Sequence, residues 1–231
     1  MKRYIILKLI LICNCLSSQN VPFIHYSTRD GLPQTQILSL FEDSRGYTWI
    51  GCSYDLYYFD GKNFKNVTEK MHLPYYSIFD IDEDKNGNII FNVTKWMCKY
   101  DGNKITFNKT NIVLRDNNFC VDKDGIGWCI NNIDKKIYYS FDFITWEKAN
   151  INENQPDWHF ISYNKKYNRF LLNDFDKNLY EFKSGHIKNL HKKIILPSFN
   201  DPKNNLDLVS SNDSIFEIDE HKINFLFGKH H

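Results

Sequence analysis

A short segment of apolar and aromatic residues recurs along the chain at intervals of 36 to 42 residues. Each copy starts with a bulky apolar residue and continues through aromatic and polar positions. The copies begin at Leu56, Met97, Ile137, Leu179 and Ile215. Four-residue segments of this composition favour β-strands over helices. A nearly constant period of about 40 residues with strand-type segments indicates a chain built from structural repeats.

A turn motif of the form Asp-x-x-Gly precedes the first three copies, and a bulky apolar residue follows each glycine by three positions. The aspartate side chain accepts hydrogen bonds within such a turn, and glycine adopts the positive φ that the turn requires. The fourth copy keeps only the bulky residue, Phe170, and the fifth has Leu206 or Leu208 in its place. Each repeat is therefore predicted to contain a hairpin in which Asp and Gly are structural. The motif residues are Asp43, Gly46 and Trp49, then Asp84, Gly87 and Ile90, then Asp122, Gly125 and Trp128.

Three or four strands in each unit of about 40 residues are typical of a β-propeller blade. The composition agrees, because aromatic residues make up 16% of the chain and Ala149 is its one alanine, so the best helix former is almost missing. We expect an all-β β-propeller of about five blade-like repeats, as a closed ring or an incomplete one, with Trp49 packed between neighbouring blades. The approximate repeat boundaries are 34–74, 75–115, 116–156, 157–200 and 201–228.

The first nineteen residues differ from the rest of the chain. Lys2 and Arg3 precede an apolar run from residue 4 to residue 16, which is followed by small and polar residues. This order is typical of a secretory signal peptide, and the run is too short for a stable membrane span. We therefore expect a signal peptide at 1–19, a propeller domain at 20–231, and export to the periplasm or the outside of a bacterial cell.

Four cysteines remain after that segment: Cys52, Cys98, Cys120 and Cys129. They form no Cys-x-x-Cys pair, and we interpret them as small buried hydrophobic residues in strands. A disulfide between Cys120 and Cys129 is an open alternative in an oxidising compartment, since spacing alone does not establish it.

The charge pattern excludes some function classes. A formal net charge of +1 gives no electrostatic footprint for nucleic acid or an anionic membrane. Asp82, Asp84 and Gly87 are spaced somewhat like a calcium loop but lack its terminal glutamate, so a turn is expected and no metal site. No pair of acidic residues stands out as the two carboxyl groups of a glycosidase. We expect no cofactor and no catalytic residues.

Exposed aromatic residues near turns are the candidates for ligand binding. A ring face together with Asn and Asp hydrogen bonds suits a glycan in a propeller pocket. Tyr54, Trp96 and Trp158 lie near predicted turns. The alternative, that each ring covers a blade face, is the more common use of aromatic residues.

The first repeat resembles the two-component regulator propeller repeat, the exported sensor region of bacterial hybrid histidine kinases and related regulators. The likeness is specific over about residues 23–64, and here Cys52 replaces the usual Thr and Asp55 replaces the usual Gly. The resemblance implies carbohydrate-linked sensing across the inner membrane. The matching residues are Tyr26, Ser27, Asp30, Gly31, Leu32, Pro33, Asp43, Gly46, Trp49, Ile50, Gly51 and Leu56.

Three functions follow as expectations. The first is an exported sensor module that binds a glycan or another small extracellular ligand. The second is a structural or interaction propeller that docks on a protein partner, either a sensor kinase or a second copy, as a stand-alone remnant or the opening fragment of a longer reading frame. The third and weakest is a secreted carbohydrate-acting enzyme.

Overall fold

A computed structural model describes residues 24–32, 36–69, 77–114, 118–151, 155–165, 167–183, 186–193, 196–201, 206–211, 214–218 and 223–228, with side-chain surroundings up to residue 190. The expected signal peptide at 1–19, and Pro33, lie outside the described residues. Among the described residues the regular structure consists of twenty β-strands and one short 3-10 helix.

The strands form five antiparallel sheets of four, each made of strands consecutive in the chain. The first sheet has β1 Ile37–Glu42, β2 Thr48–Cys52, β3 Leu56–Phe59 and β4 Phe64–Asn66; the second has β5 Ile81–Glu83, β6 Ile89–Val93, β7 Trp96–Tyr100 and β8 Ile105–Lys109; the third has β9 Phe119–Val121, β10 Gly127–Ile130, β11 Ile137–Ser140 and β12 Glu147–Lys148. The fourth has β13 Trp158–Asn164, β14 Arg169–Asp174, β15 Asn178–Lys183 and β16 His186–Lys193; the fifth has β17 Leu196–Asp201, β18 Leu206–Ser211, β19 Ser214–Ile218 and β20 Ile223–Gly228.

The first strands of successive sheets lie beside one another, in the order β1, β5, β9, β13 and β17. Sheets that repeat radially about a common axis with their first strands inward are the arrangement of a propeller. The second strands β6 and β14 are buried throughout, because neighbouring sheets cover both of their faces. The prediction of an all-β propeller is confirmed.

The fifth sheet begins at Leu196, where β17 pairs with β18, rather than near the expected boundary at 201. Only residues 194–195 separate it from β16, whereas longer linkers separate the earlier sheets. The expected boundary rested on a period of about 40 residues, and the short linker places the start of the fifth sheet at Leu196, before that boundary.

Three apolar seams join the first four sheets. The first seam, between the first and second sheets, contains Trp49, Phe91 and Cys98. The second seam lies between the second and third sheets, and the third seam between the third and fourth. Successive residues of a strand face opposite sides of its sheet, so β6 and β10, in the second and third sheets, each contribute to two seams. Burial of these side chains is the main force that holds the sheets together.

The four cysteines are buried free thiols. Cys129 lies opposite Phe119 in the strand register and belongs to the second seam, whereas Cys120 lies opposite Trp128 and belongs to the third seam. The two thiols therefore point to opposite faces of one sheet, and the alternative of a disulfide between them is wrong. Burial raises the pKa of the Cys52 thiol to about 11.

The described residues 24–32 belong to a different compact unit from the five sheets. Its 3-10 helix, Thr28–Asp30, begins with a capping box. The Ser27 side chain accepts a hydrogen bond from the helix backbone, and the Asp30 carboxylate accepts one from the Ser27 backbone N–H. Gly31 follows with a φ of 93°, and the Leu32 N–H donates to the Ser27 carbonyl over 3.2 Å. In the described part of the chain, no helix has both the length and the apolar character needed to cross a membrane.

Candidate ligand-binding face

In the first three sheets the turns between first and second strands are closed by aspartates, of which Asp43 and Asp84 are buried. Asp43 accepts hydrogen bonds from the Trp49 indole over 2.9 Å, from the Tyr47 N–H over 3.0 Å and from the Arg45 N–H over 2.9 Å. Burial tends to raise the pKa of Asp43, but the hydrogen bonds from Trp49, Tyr47 and Arg45 outweigh it and the pKa is lowered. The carboxylate is therefore engaged in shaping its own turn.

The second and third sheets repeat this turn with different donors. Asp122 accepts from the Trp128 indole over 2.8 Å. In the second sheet Ile90 takes the place of the tryptophan and has no side-chain donor. Asp84 instead accepts hydrogen bonds from the Asn88 side chain over 2.8 Å and from the Lys99 ammonium over 3.1 Å. The glycines that follow have positive φ, at Gly46, Gly87 and Gly125. The expected motif residues are thus placed as hairpin formers in three successive sheets.

Gly51 is required for space and not for a positive φ. A Cβ at this position would lie 2.6 Å from the Ile78 carbonyl oxygen and would also meet the Ser39 hydroxyl. The Ser39 hydroxyl itself donates to that carbonyl over 3.0 Å. The close approach links the first sheet to the start of the second.

The turns between second and third strands lie at the opposite end of the sheets, because the strands are antiparallel. In the first four sheets these turns are residues 53–55, 94–95, 131–136 and 174–177, and we call this end the second-turn face. Each contains a residue other than glycine in the left-handed region, which costs about 1–2 kcal/mol relative to glycine. These residues are Tyr54 with φ 80°, Thr94 with φ 55°, Lys135 with φ 57° and Lys177 with φ 67°.

Two neighbouring turns on this face meet in a cluster of an amine and two rings. The Lys135 Nζ lies 5.3 Å from the centre of the Phe175 ring, a cation–π distance. The His159 ring packs against Phe175 at 4.9 Å between centroids. Phe175 is 54% exposed although it is a large apolar side chain at a turn tip. We call Lys135, His159 and Phe175 the Lys135 cluster.

Backbone hydrogen bonds fix the turn that carries Lys135. Its N–H donates to the Asn131 carbonyl over 2.9 Å, and its own carbonyl accepts from the Trp158 N–H over 3.1 Å. The Lys135 ammonium donates to the Asn132 side-chain oxygen over 2.5 Å. The third and fourth sheets are therefore joined directly beneath the cluster.

The adjoining lysine holds the linker that leads into β13. The Lys136 ammonium reaches the carbonyls of Gln155 and Pro156 over 3.3 Å and 3.4 Å, and the Asp157 carboxylate over 3.2 Å. This lysine is thus engaged with its own protein, whereas Lys135 projects over the Phe175 ring.

Asp174 fixes the turn that presents Phe175. Its carboxylate accepts from the Asn178 N–H and side chain, each over 2.8 Å, and from the Tyr180 hydroxyl over 2.9 Å. Burial tends to raise the pKa of Asp174, but the bonds from Asn178 and Tyr180 outweigh it and the pKa is lowered. The ring at the turn tip is held in place by a charged carboxylate below it.

The three aromatic candidates from the sequence have different surroundings. Tyr54 is 51% exposed on the second-turn face. Trp96 is half-buried and packs against the first seam. Trp158 is fully buried in the third seam, where its indole donates to the Gln155 side chain over 3.1 Å. The proposal of Trp158 as a ligand contact is therefore wrong, because the linker before β13 folds it inward.

The Lys135 cluster was not predicted from the sequence. Its members are 40 residues apart at most and become neighbours only through the register of two sheets. A usable signal was present, since Phe175 stands between two aspartates in a turn where small or polar residues are usual. In the part of the chain that the structure describes, no group of three or more His, Cys, Asp or Glu side chains could hold a metal ion.

Residues 31–54 match the family described as the two component regulator propeller. They include β1, β2 and the Asp43 turn. A search of the curated proteins gave no significant match.

Several solved structures share the fold at low identity. A streptogramin B lyase structure is 13% identical with a TM-score of 0.65, over 93% of this chain and 75% of that chain. Virginiamycin B lyase from Staphylococcus aureus is 14% identical with a TM-score of 0.60, over 84% of this chain and 71% of that chain. The extracellular domain assigned to a one component system from B. thetaiotaomicron is 17% identical with a TM-score of 0.62, over 92% of this chain but only 34% of that one.

These similarities establish the fold, and the family match locates the repeat within it. The match covers the turn in which Asp43 accepts a hydrogen bond from the Trp49 indole. Asp43 and Trp49 are among the residues on which the resemblance in the sequence rests. The first sheet therefore carries a match to the two-component regulator propeller repeat, which confirms the resemblance predicted from the sequence.

Proposed function

We propose that this protein is an exported propeller module that binds a small extracellular ligand, such as a glycan, in the manner of a sensor domain and without catalysis of its own. The observation that carries the proposal is the second-turn face, where four successive sheets hold side chains in strained left-handed turns. Strain of this kind persists where a side chain is needed, since glycine would fit at no cost.

The chemistry of the face supports binding over catalysis. The Lys135 cluster offers an amine and two rings, which suits recognition. The turn aspartates at the other end of the sheets, such as Asp43 and Asp122, are occupied by hydrogen bonds from their own turns. A carboxylate already bound by an indole is poorly placed to transfer a proton to a substrate.

Sensing would require a second protein, since the proposed module binds and a partner transmits. The two-component regulator repeat at residues 31–54 supports a sensor kinase or a related regulator as that partner. The short charged and apolar leader at 1–19 supports export.

A protein-interaction role is the second candidate, and the first sheet favours it. Leu40 and Ile37 are 57% and 38% exposed. They lie opposite Ile50 and Cys52 in the register, on the face turned away from the first seam. An exposed apolar sheet face is typical of a docking surface.

We further infer that the five sheets form an open arc. Contacts between first strands run in order from β1 to β17, and among the described strands none of similar extent joins β17 to β1. A small-angle scattering profile that fits a closed ring would contradict the arc.

A ligand screen of the purified protein tests the proposed function. Calorimetry or a glycan array is expected to give at least one binder whose affinity falls when Phe175 is changed to alanine. Phe141→Ala is the matched control, since Phe141 is 73% exposed in the third sheet but lies at the other end of the strands. Silence across all oligosaccharides, or equal losses in both variants, would count against the proposal.

A further inference from the structure

We propose that the Lys135 cluster selects an anionic ligand, in which a carboxylate is attached to a ring with an apolar face. The inference rests on the proposed ligand-binding function and names the chemistry of that site. An acidic sugar and an aromatic acid share this chemistry, and the experiment below separates them.

The ammonium of Lys135 is the anion-binding element. Among the described residues it forms no ion pair, whereas its neighbour Lys136 is paired with Asp157 at 3.2 Å. Of its three N–H donors, one bonds to the Asn132 side chain. The other donors are available to the two oxygens of a carboxylate, which gives a charge-assisted hydrogen bond.

The ring of Phe175 is the apolar element. It is 54% exposed, and the amine and His159 contact only part of it. A flat apolar ligand face can cover the remaining area. This burial removes apolar surface from water on both partners and so contributes to affinity.

The nearby acidic groups do not cancel the charge of Lys135. Asp134 lies 3.5 Å from the Lys148 ammonium and accepts from the Tyr138 hydroxyl over 3.0 Å. Asp157 is taken by Lys136. Asp176 is exposed next to Phe175, and Lys177 follows it with a charge of opposite sign. The Asp174 carboxylate below Phe175 is occupied by the Asn178 and Tyr180 donors. The ammonium of Lys135 therefore remains to attract a negative ligand.

The cluster is preorganised for binding. Lys135 is fixed through Asn131, Asn132 and Trp158, and the Phe175 turn is fixed by Asp174. Side chains ordered before the ligand arrives lose little entropy on binding, so a small site can reach useful affinity. The left-handed φ of Lys135 is part of this geometry, since it directs the side chain toward the next sheet.

Calorimetry with three probes tests the inference on the full purified protein. The probes are a galacturonic acid trisaccharide, the neutral galactose trisaccharide of the same linkage, and benzoate as an aromatic acid. We expect an acidic probe to bind at least tenfold more tightly than the neutral one, with a difference that shrinks in 0.5 M salt because salt screens the charge. Whichever of the two acidic probes binds more tightly shows whether the carboxylate belongs to an acidic sugar or to an aromatic acid.

Variants assign the effect to the cluster. Lys135→Gln and Phe175→Ala are each expected to weaken the acidic probe at least tenfold, and Lys135→Arg to retain most of the affinity. Phe141→Ala and Lys85→Gln, at the other end of the sheets, should leave it unchanged. Circular dichroism melting of every variant separates lost binding from lost folding.

The possible failures are distinguishable. Equal binding of acidic and neutral saccharides, unchanged in Lys135→Gln, overturns the charge selectivity and leaves ligand binding in place. Absence of binding by both acidic probes overturns the inference. Absence of any binder in the wider screen overturns the proposed function as well.

Discussion

The two ends of the sheets solve the same geometric problem in different ways. At one end, the first three sheets place Gly46, Gly87 and Gly125 at the left-handed position, although the fourth sheet has Asn168 there. The aspartates Asp43 and Asp84 are buried against an indole and an amine. At the second-turn face the left-handed position holds Tyr54, Thr94, Lys135 or Lys177. The first kind of turn maximises stability, and the second gives up stability to keep a side chain. The turns closed by aspartates and the proposed ligand-binding face thus lie at opposite ends of the sheets.

Removing the buried carboxylate tests the stabilising end and gives the largest effect. We expect Asp43→Ala to lower the free energy of unfolding by about 3 kcal/mol, because the Trp49 indole and backbone N–H groups lose their acceptor. Urea denaturation measures the loss. The matched control is Asp60→Ala, in an exposed turn of the same sheet, which should lose much less. Equal losses would show that burial of the aspartate is unimportant.

Adding one carbon at Gly51, near the end of β2, tests whether this position needs glycine for space. Gly51→Ala is expected to destabilise by about 2–3 kcal/mol, since the new Cβ would meet the Ile78 carbonyl at 2.6 Å. Gly46→Ala is the control for conformation, with φ 84° and open space around it, and should cost about 1–2 kcal/mol. A larger loss of stability in Gly46→Ala than in Gly51→Ala would show that backbone conformation at Gly46 matters more than close packing at Gly51.

The pH dependence of stability probes Asp82, at the end of β5 next to the Asp84 turn. Burial raises the pKa of Asp82 to about 6, although Lys165 and the Val121 N–H, at 2.7 Å, oppose this shift. A carboxyl whose pKa is raised by folding binds its proton more tightly in the folded state. Its contribution to stability is therefore full below the unfolded pKa and is lost as pH rises through about 6.

The change from pH 7 to pH 5 should therefore stabilise the natural protein relative to Asp82→Asn by about 1.4 kcal/mol, one pKa unit of linkage. Denaturation curves of both proteins at the two pH values measure the difference. A gain of the same size in Asp82→Asn would assign the effect to another group.

Relieving strain on the second-turn face gives the smallest change, of opposite sign. Lys177→Gly is expected to stabilise by about 0.5–1 kcal/mol, because glycine adopts φ 67° without strain. Calorimetric melting of Lys177→Gly and Gly46→Ala side by side measures the expected gain and the expected loss of stability in one experiment. Destabilisation by Lys177→Gly would mean that contacts of the lysine side chain outweigh its backbone strain.

The fold was readable from the sequence where local chemistry repeats. The copies beginning at Leu56, Met97, Ile137 and Leu179 each start or lie within a third strand. The aspartates of the first three turns were readable because turn chemistry is local. The start of the fifth sheet at Leu196 could not be predicted, because the repeat period carries no information on the length of an individual linker.

The candidate site was mostly unreadable for a physical reason. Lys135 and Phe175 belong to different sheets, and their contact depends on how the sheets pack. Trp158 looked like a turn residue but is fully buried at the start of an inner strand. The question of a disulfide likewise depended on which face of β9 and β10 each thiol occupies.

One buried thiol lies in each seam: Cys98 in the first, Cys129 in the second and Cys120 in the third. An alkylating reagent reaches each of them only when the two adjoining sheets separate. Burial raises all three pKa values, which keeps the thiols protonated and slow to react in the closed form. The order in which mass spectrometry finds these cysteines alkylated during mild denaturation would therefore record, without any substitution, the sequence in which the repeats come apart.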